Sequence, residues 1–160
     1  MTVKPTSVET SRGDADARMD HPIERGGKSY AGAHQIIDMW APKRIDDLKF
    51  VEAALRKSVA AAGATLLHIH LHHFTVNDGV SGVAVLAESH ISVHTWPELG
   101  FAAFDIFTCG NTDPEAAIAV LTAAFEPERI AAMVGYGPLS VDGANEARAV
   151  YGGFGLAVAA

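Results

Sequence analysis

Large apolar side chains are sparse over residues 1–29 and recur with clear periods from Tyr30 onward. The opening stretch, rich in Thr, Ser, Gly and Asp, cannot bury enough surface to offset the entropy of ordering. A disordered tail is therefore expected over 1–29, with Met19 as a second candidate start. His34 to Trp40 (HQIIDMW) reads as a first strand, stopped by Pro42. Asp46 or Asp47 can cap a helix in which Leu48, Val51, Leu55 and Val59 recur at helical spacing, and Gly63 ends it. Thr65 to Phe74 alternates as a strand and is followed by the turn residues Asn77-Asp78-Gly79. Val83 to Ala87 reads as a third strand, Ile91 to Thr95 continues extended, and Pro97 and Gly100 break the chain before a strand at Phe101 to Thr108. Thr112-Asp113-Pro114-Glu115 is a helix start, with a capping side chain and a proline in the first turn. That helix runs to about Phe125, and Arg129 to Tyr136 forms the last strand.

The order β-α-β-β-β-α-β, with strands bunched in the middle, predicts an α+β fold. The expected form is a two-layer sandwich, a largely antiparallel sheet with two helices on one face. Residues 30–137 make this domain, and the glycine-rich stretch 138–160 is expected to be loosely ordered. Two helices cover one sheet face only, so the other is expected to be buried in a sheet-to-sheet homodimer.

Composition narrows the function. The 160 residues carry a formal net charge of −7, which argues against nucleic-acid and anionic-membrane partners and mildly favours a cationic small-molecule substrate. The single cysteine, Cys109, forms no intrachain disulfide and suits a reducing compartment. No apolar run reaches the roughly 18–20 residues of a membrane span, and the polar start lacks a secretion signal. A cytoplasmic location is expected.

Ser, His, Glu and Cys crowd into residues 79–110, a stretch that otherwise reads as strand. Polar groups in a half-buried sheet cost free energy unless paired, so this crowding points to a site. From the residues alone it offers a candidate nucleophile, a base and a thiol. The segment AESHISVHTWPE, preceded by GVSG and followed by FDIFTCG, resembles the prokaryotic S-adenosylmethionine decarboxylase proenzyme family across roughly residues 33–135.

Decarboxylating an α-amino acid needs an electron sink joined to the amine as a Schiff base, commonly pyridoxal phosphate on a lysine. Here every lysine lies at or before Lys57, outside the crowded segment. The resemblance implies a different sink, a covalent pyruvoyl group made from Ser89 when the chain cuts itself between Glu88 and Ser89. It also implies that His94 assists the elimination, Ser81 the acyl shift, and that Cys109 protonates the substrate carbon after carbon dioxide leaves. Phe74 and Trp96 match aromatics that stack on adenine, and Glu98 a carboxylate facing the ribose hydroxyls. The expected enzyme is a homodimer of processed two-chain protomers that supplies the aminopropyl donor for spermidine synthesis.

Two departures border the presumed substrate pocket. The stretch between Phe74 and Gly79 is one residue longer than usual and lacks its common proline, and Leu99-Gly100-Phe101 replaces an aromatic-Gly-aromatic. Ornithine or arginine therefore stay open as substrates, as does an unprocessed regulatory partner, against which the joint presence of Ser89, His94 and Cys109 argues. His68, His70 and His72 alternate onto one strand face, read as a polar face or dimer seam with no metal, and His73 falls on the opposite face.

Overall fold

The computed structural model describes residues 22–139 and 157–159. Most of the expected N-terminal tail thus lies outside the described residues, as do 140–156 of the C-terminal stretch. From Ile23 the chain is already in a hairpin: β1 (Ile23–Arg25) pairs antiparallel with β2 (Lys28–Trp40), so the first long strand starts six residues before His34. The remaining elements are α1 (Leu48–Ala61), β3 (Leu66–His73), β4 (Val80–Leu86), β5 (Ser89–Trp96), a 3₁₀ turn (Pro97–Leu99), β6 (Phe101–Thr108), α2 (Pro114–Phe125), β7 (Arg129–Pro138) and β8 (Ala157–Ala159). The sheet runs β3-β4-β5-β6-β2-β7-β8, with β1 beside β2, and every pairing is antiparallel. This is the α+β fold, a largely antiparallel sheet with two helices packed on one face.

Both helices form where their caps dictate. The Asp47 carboxylate accepts from the Phe50 amide at 3.0 Å, and the Asp113 carboxylate accepts from Ala116 at 3.0 Å. Each satisfies an amide that has no partner within its helix. Along α1, Val51, Ala54, Leu55, Ser58 and Val59 are buried, one stripe at helical period. Ser58 is tolerated there because its hydroxyl donates to the Leu55 carbonyl at 2.8 Å. Gly63, at φ 69°, turns the chain out of α1. Phe125 of α2 packs against Phe50 of α1 and Phe104 of β6, with centroids 5.6 and 5.5 Å apart. Burying a side chain such as Leu55, Leu121 or Phe125 contributes about 1.5–3 kcal/mol.

Strand alternation divides the sheet into two faces. Ile37 and Met39 of β2, Ile91 and Val93 of β5, and Ala102, Phe104 and Ile106 of β6 lie in the core beneath the helices. The alternate positions, among them His90, Ser92, His94 and Trp96 of β5, face the other way and are more exposed. Ile36 and Val85 stand exposed on that open face. At Gly82 in β4 an added Cβ would stand 2.1 Å from the His70 carbonyl oxygen, so only glycine lets β3 approach this closely.

The stretch 83–95, read from sequence as strand continuing into further extended chain, is a tight hairpin. Its strands β4 and β5 are joined by Ala87 and Glu88 alone. No helix among the described residues is long and apolar enough to cross a membrane.

Candidate active site

The hairpin tip gathers the first group of chemical side chains. Glu88 adopts φ 62°, the left-handed region, where a residue with a Cβ costs roughly 1–2 kcal/mol. Ser89 and Cys109 are both buried, and the Ser89 Oγ lies 3.4 Å from the Cys109 Sγ. The Cys109 thiol also reaches the Glu88 carbonyl oxygen at 3.5 Å. Cys109 is positioned just past β6, where Thr112 Oγ1 donates to its carbonyl at 2.8 Å and Gly110 turns the chain at φ 61°. A hydroxyl, the carbonyl of the preceding residue and a thiol are thus held together at one peptide bond.

The opposite end of the hairpin holds a second group. Ser81 and His94 are register partners across β4 and β5, with Oγ and Nδ1 2.9 Å apart. Trp96 ends β5 on the same face, its ring 6.2 Å from His94 and 5.7 Å from Phe101. Phe74 follows β3, is exposed, and meets His72 edge-on at 4.6 Å. Glu98, in the 3₁₀ turn, accepts a hydrogen bond from Asn77 Nδ2 at 3.1 Å, tying the Phe74–Gly79 loop to the turn after Trp96. Beneath these groups the buried Thr95 hydroxyl accepts from the Val80 amide at 2.7 Å and donates to the Ile45 carbonyl at 2.9 Å.

Sequence reasoning missed Asn77, Thr95 and Phe101 as supports of this end. From sequence Asn77 reads only as turn chemistry. A threonine between apolar neighbours in a strand, and an aromatic just past Gly100, were the available signals for the other two.

One chain does not bring the two groups together. Ser89 and His94 are five residues apart on an extended strand, about 17 Å, and an odd separation sends their side chains to opposite faces. The intervening open face carries His90 and His34 on either side of Phe107, with centroids 5.9 and 4.5 Å from it, and His90 lies 3.9 Å from Asp105. His68, His70 and His72 are exposed along β3, and His73 faces the other way. Among the described residues no group of three His, Cys, Asp or Glu side chains is arranged to hold a metal ion. Two carboxyls outside these groups are held below the ordinary range. A hydrogen bond from Arg44 lowers Asp47, and one from Lys43 lowers Glu126.

Comparison with known proteins supplies what geometry leaves open. The family model for S-adenosylmethionine decarboxylase matches residues 33–134. The chain belongs to the S-adenosylmethionine decarboxylase family, a family of enzymes. The matched region spans both groups, from Phe74 to Cys109. Among curated relatives, the S-adenosylmethionine decarboxylase proenzyme of Thermomicrobium roseum is 52% identical over 103 residues, covering 64% of this chain and 89% of that protein. The proenzyme of Methanococcus maripaludis strain C7 is 44% identical over 119 residues, covering 72% of this chain and 97% of that one. Among solved structures, the adenosylmethionine decarboxylase from Aquifex aeolicus VF5 superposes with a TM-score of 0.62 at 32% identity, covering 68% of this chain and 92% of the other.

Proposed function

We propose that this protein is a self-processing, pyruvoyl-dependent decarboxylase of S-adenosylmethionine, supplying the aminopropyl donor for spermidine synthesis. The observation that carries the reading is the contact of the Ser89 hydroxyl, the Cys109 thiol and the Glu88 carbonyl at one peptide bond, in a chain of this family.

Processing uses only groups of the chain. The Ser89 Oγ bonds to the Glu88 carbonyl carbon, the bond from that carbon to the Ser89 nitrogen breaks, and the hydroxyl proton passes to the freed amine. Loss of the residue 89 α-proton then expels the Glu88 carboxylate, leaving residues 1–88 as one chain and dehydroalanine at the head of 89–160. Water replaces the nitrogen, ammonia leaves, and a pyruvoyl group remains. Ser89 fits this precursor role because its hydroxyl is buried, adjacent to the scissile carbonyl and held by a thiol.

The pyruvoyl group supplies the electron sink for decarboxylation. On this reading Cys109 delivers a proton from Sγ at that end of the site. His94, with Nδ1 engaged by Ser81, presents its other nitrogen as a base. Because His94 stands about 17 Å from Ser89 along its own strand, it serves the Ser89 of a second copy. The protein therefore works as a homodimer of two-chain protomers, with the hairpin tip of one copy lying against the Ser81–His94 end of the other. Phe74 and Trp96 offer aromatic faces for adenine, and Glu98 offers acceptors for the ribose hydroxyls. The acidic chain suits a sulfonium substrate, and a thiol at the reaction centre suits the cytoplasm.

Intact-mass spectrometry of the purified protein tests the processing, with an 89–160 fragment bearing a pyruvoyl head as the expected product. A folded chain that stays whole at 160 residues would sink it. Carbon dioxide release from S-adenosylmethionine, ornithine and arginine, assayed side by side, tests the substrate. Release from S-adenosylmethionine alone is expected, and release from either amino acid instead overturns the assignment.

A further inference from the structure

We infer that the left-handed backbone of Glu88 is a strained spring that drives the acyl shift, so that residue 88 positions and accelerates cleavage through its Cα geometry, not through its carboxylate. This deepens the self-processing reading and rests on it.

The described residues with positive φ and a Cβ are Ala41, Arg44, Asp78, Glu88 and Glu126. Four of them sit in loops or at a helix end, outside any two-residue hairpin link. Glu126 caps the end of α2, Asp78 follows Asn77 in a loop, and Ala41 and Arg44 lie in the connection from β2 to α1. Glu88 alone among them occupies a two-residue link between directly paired strands, since Leu86 and Ser89 are register partners. Two-residue hairpins favour turns with φ > 0 at the first or at both central residues, which match the twist of the strands. Here the first, Ala87, has no positive φ and the second does, the pattern of turns that splay a hairpin.

Strain of this kind persists only where the surroundings hold it. The Ala87 amide donates to the Thr65 carbonyl at 2.9 Å, fixing one side of the link to the segment before β3. On the other side the Cys109 thiol holds the Glu88 carbonyl, and the β5 ladder holds Ser89. The peptide between residues 88 and 89 is clamped at both flanks in a conformation its side chain disfavours.

The acyl shift relieves this. Moving the Glu88 carbonyl carbon from the Ser89 nitrogen to its Oγ puts an additional atom in the path between that carbon and the Ser89 Cα. The longer ester link lets residue 88 rotate back toward negative φ. A penalty present in the amide and partly released in the ester lowers the barrier, and this conversion is where processing is otherwise uphill.

Glycine adopts the left-handed region without penalty. In Glu88→Gly, cleavage is expected to slow about five- to thirtyfold, the rate equivalent of the relieved strain. Glu88→Ala keeps the Cβ and loses the carboxylate, so it is expected to cleave within about twofold of wild type. Asparagine tolerates the left-handed region better than most residues, and Glu88→Asn is expected to fall between the two.

The full chain is made by cell-free translation, and the 89–160 fragment is followed in time. Hydroxylamine is added to capture the ester, and less capture is expected from the glycine variant. Folding is controlled in the uncleavable Ser89→Ala background, where Glu88→Gly is expected to hold or raise the Tm. Equal cleavage rates for glycine and wild type, slowing by alanine as large as by glycine, or a lowered Tm for glycine would each overturn the inference. A wild-type chain that never cleaves would overturn the parent reading instead, so the two failures are distinguishable.

Discussion

Two variants that are each unable to process alone can, when made together, report whether the site is shared between copies. Ser89→Ala removes the proposed nucleophile, and His94→Ala removes the proposed base, which the structure leaves about 17 Å away on the opposite sheet face. If the site is shared as proposed, the Ser89 of one copy in a symmetric dimer meets the Ser81–His94 pair of the other. Expressed alone, each variant lacks one partner at both sites and should stay whole. Expressed together at equal levels, random pairing makes about half of the dimers mixed. A mixed dimer contains one complete site, the Ser89 of the His94→Ala chain facing the His94 of the Ser89→Ala chain. About half of the His94→Ala chains should therefore be cut, and none of the Ser89→Ala chains. Different affinity tags and intact-mass spectrometry read the two populations separately. If mixed dimers are recovered and the His94→Ala chain in them remains whole, the shared site is wrong and His94 acts within its own chain or not at all.

Other perturbations test the supports of the site. Thr95→Val keeps shape but leaves the Val80 amide and the Ile45 carbonyl without their partner. Urea denaturation in the Ser89→Ala background should show a loss of about 2–6 kcal/mol, from about 1–3 for each orphaned group. A loss below about 0.5 kcal/mol would mean that water or a backbone shift replaces the bridge. Cys109→Ala should still release the 89–160 fragment, while carbon dioxide release falls at least about a hundredfold, the usual worth of a placed proton donor. The Asp47 carboxyl is held low first by the Arg44 hydrogen bond and then by the Phe50 amide. Its depressed value means that its contribution to α1 is present above the ordinary carboxylate range near about pH 4 and fades as pH falls below it. Amide exchange at Phe50 should accelerate over that fall, and Asp47→Asn, which still caps, should remove the pH dependence.

The helices were legible because their signals are local. Asp47 and Asp113 carry the caps, Pro114 opens α2, and the apolar stripe of α1 repeats at helical period. The α+β architecture followed from the order of those elements. The β4–β5 hairpin was not legible, because Ala87 and Glu88 are not turn residues and the pairing across β4/β5 and β5/β6 imposes the reversal from outside. β1 was hidden for a similar reason, since Ile23–Arg25 extends only by pairing with Ser29 and its neighbours. The residues of the candidate site were legible through the family resemblance. Their partition into two groups was present in the spacing of Ser89 and His94 once both were placed on one strand, because strand period makes an odd separation change faces. The contact of Cys109 with Glu88 and Ser89 had no sequence signal, being made where the end of β6 passes the hairpin tip.

The strand order also determines what cleavage leaves behind. A cut before Ser89 assigns β1 to β4 and α1 to one chain, and β5 to β8 and α2 to the other. In the sheet these do not lie side by side: β2, from the first chain, is inserted between β6 and β7 of the second. The two pieces are laced through one another along the β4/β5, β6/β2 and β2/β7 ladders. Parting them means opening the middle of the sheet, and rejoining them would be a second-order encounter of two incomplete cores. A protein cut there is a product of its own history, assembled once as a single chain. Its persistence is governed by how slowly it comes apart, because there is no short route back.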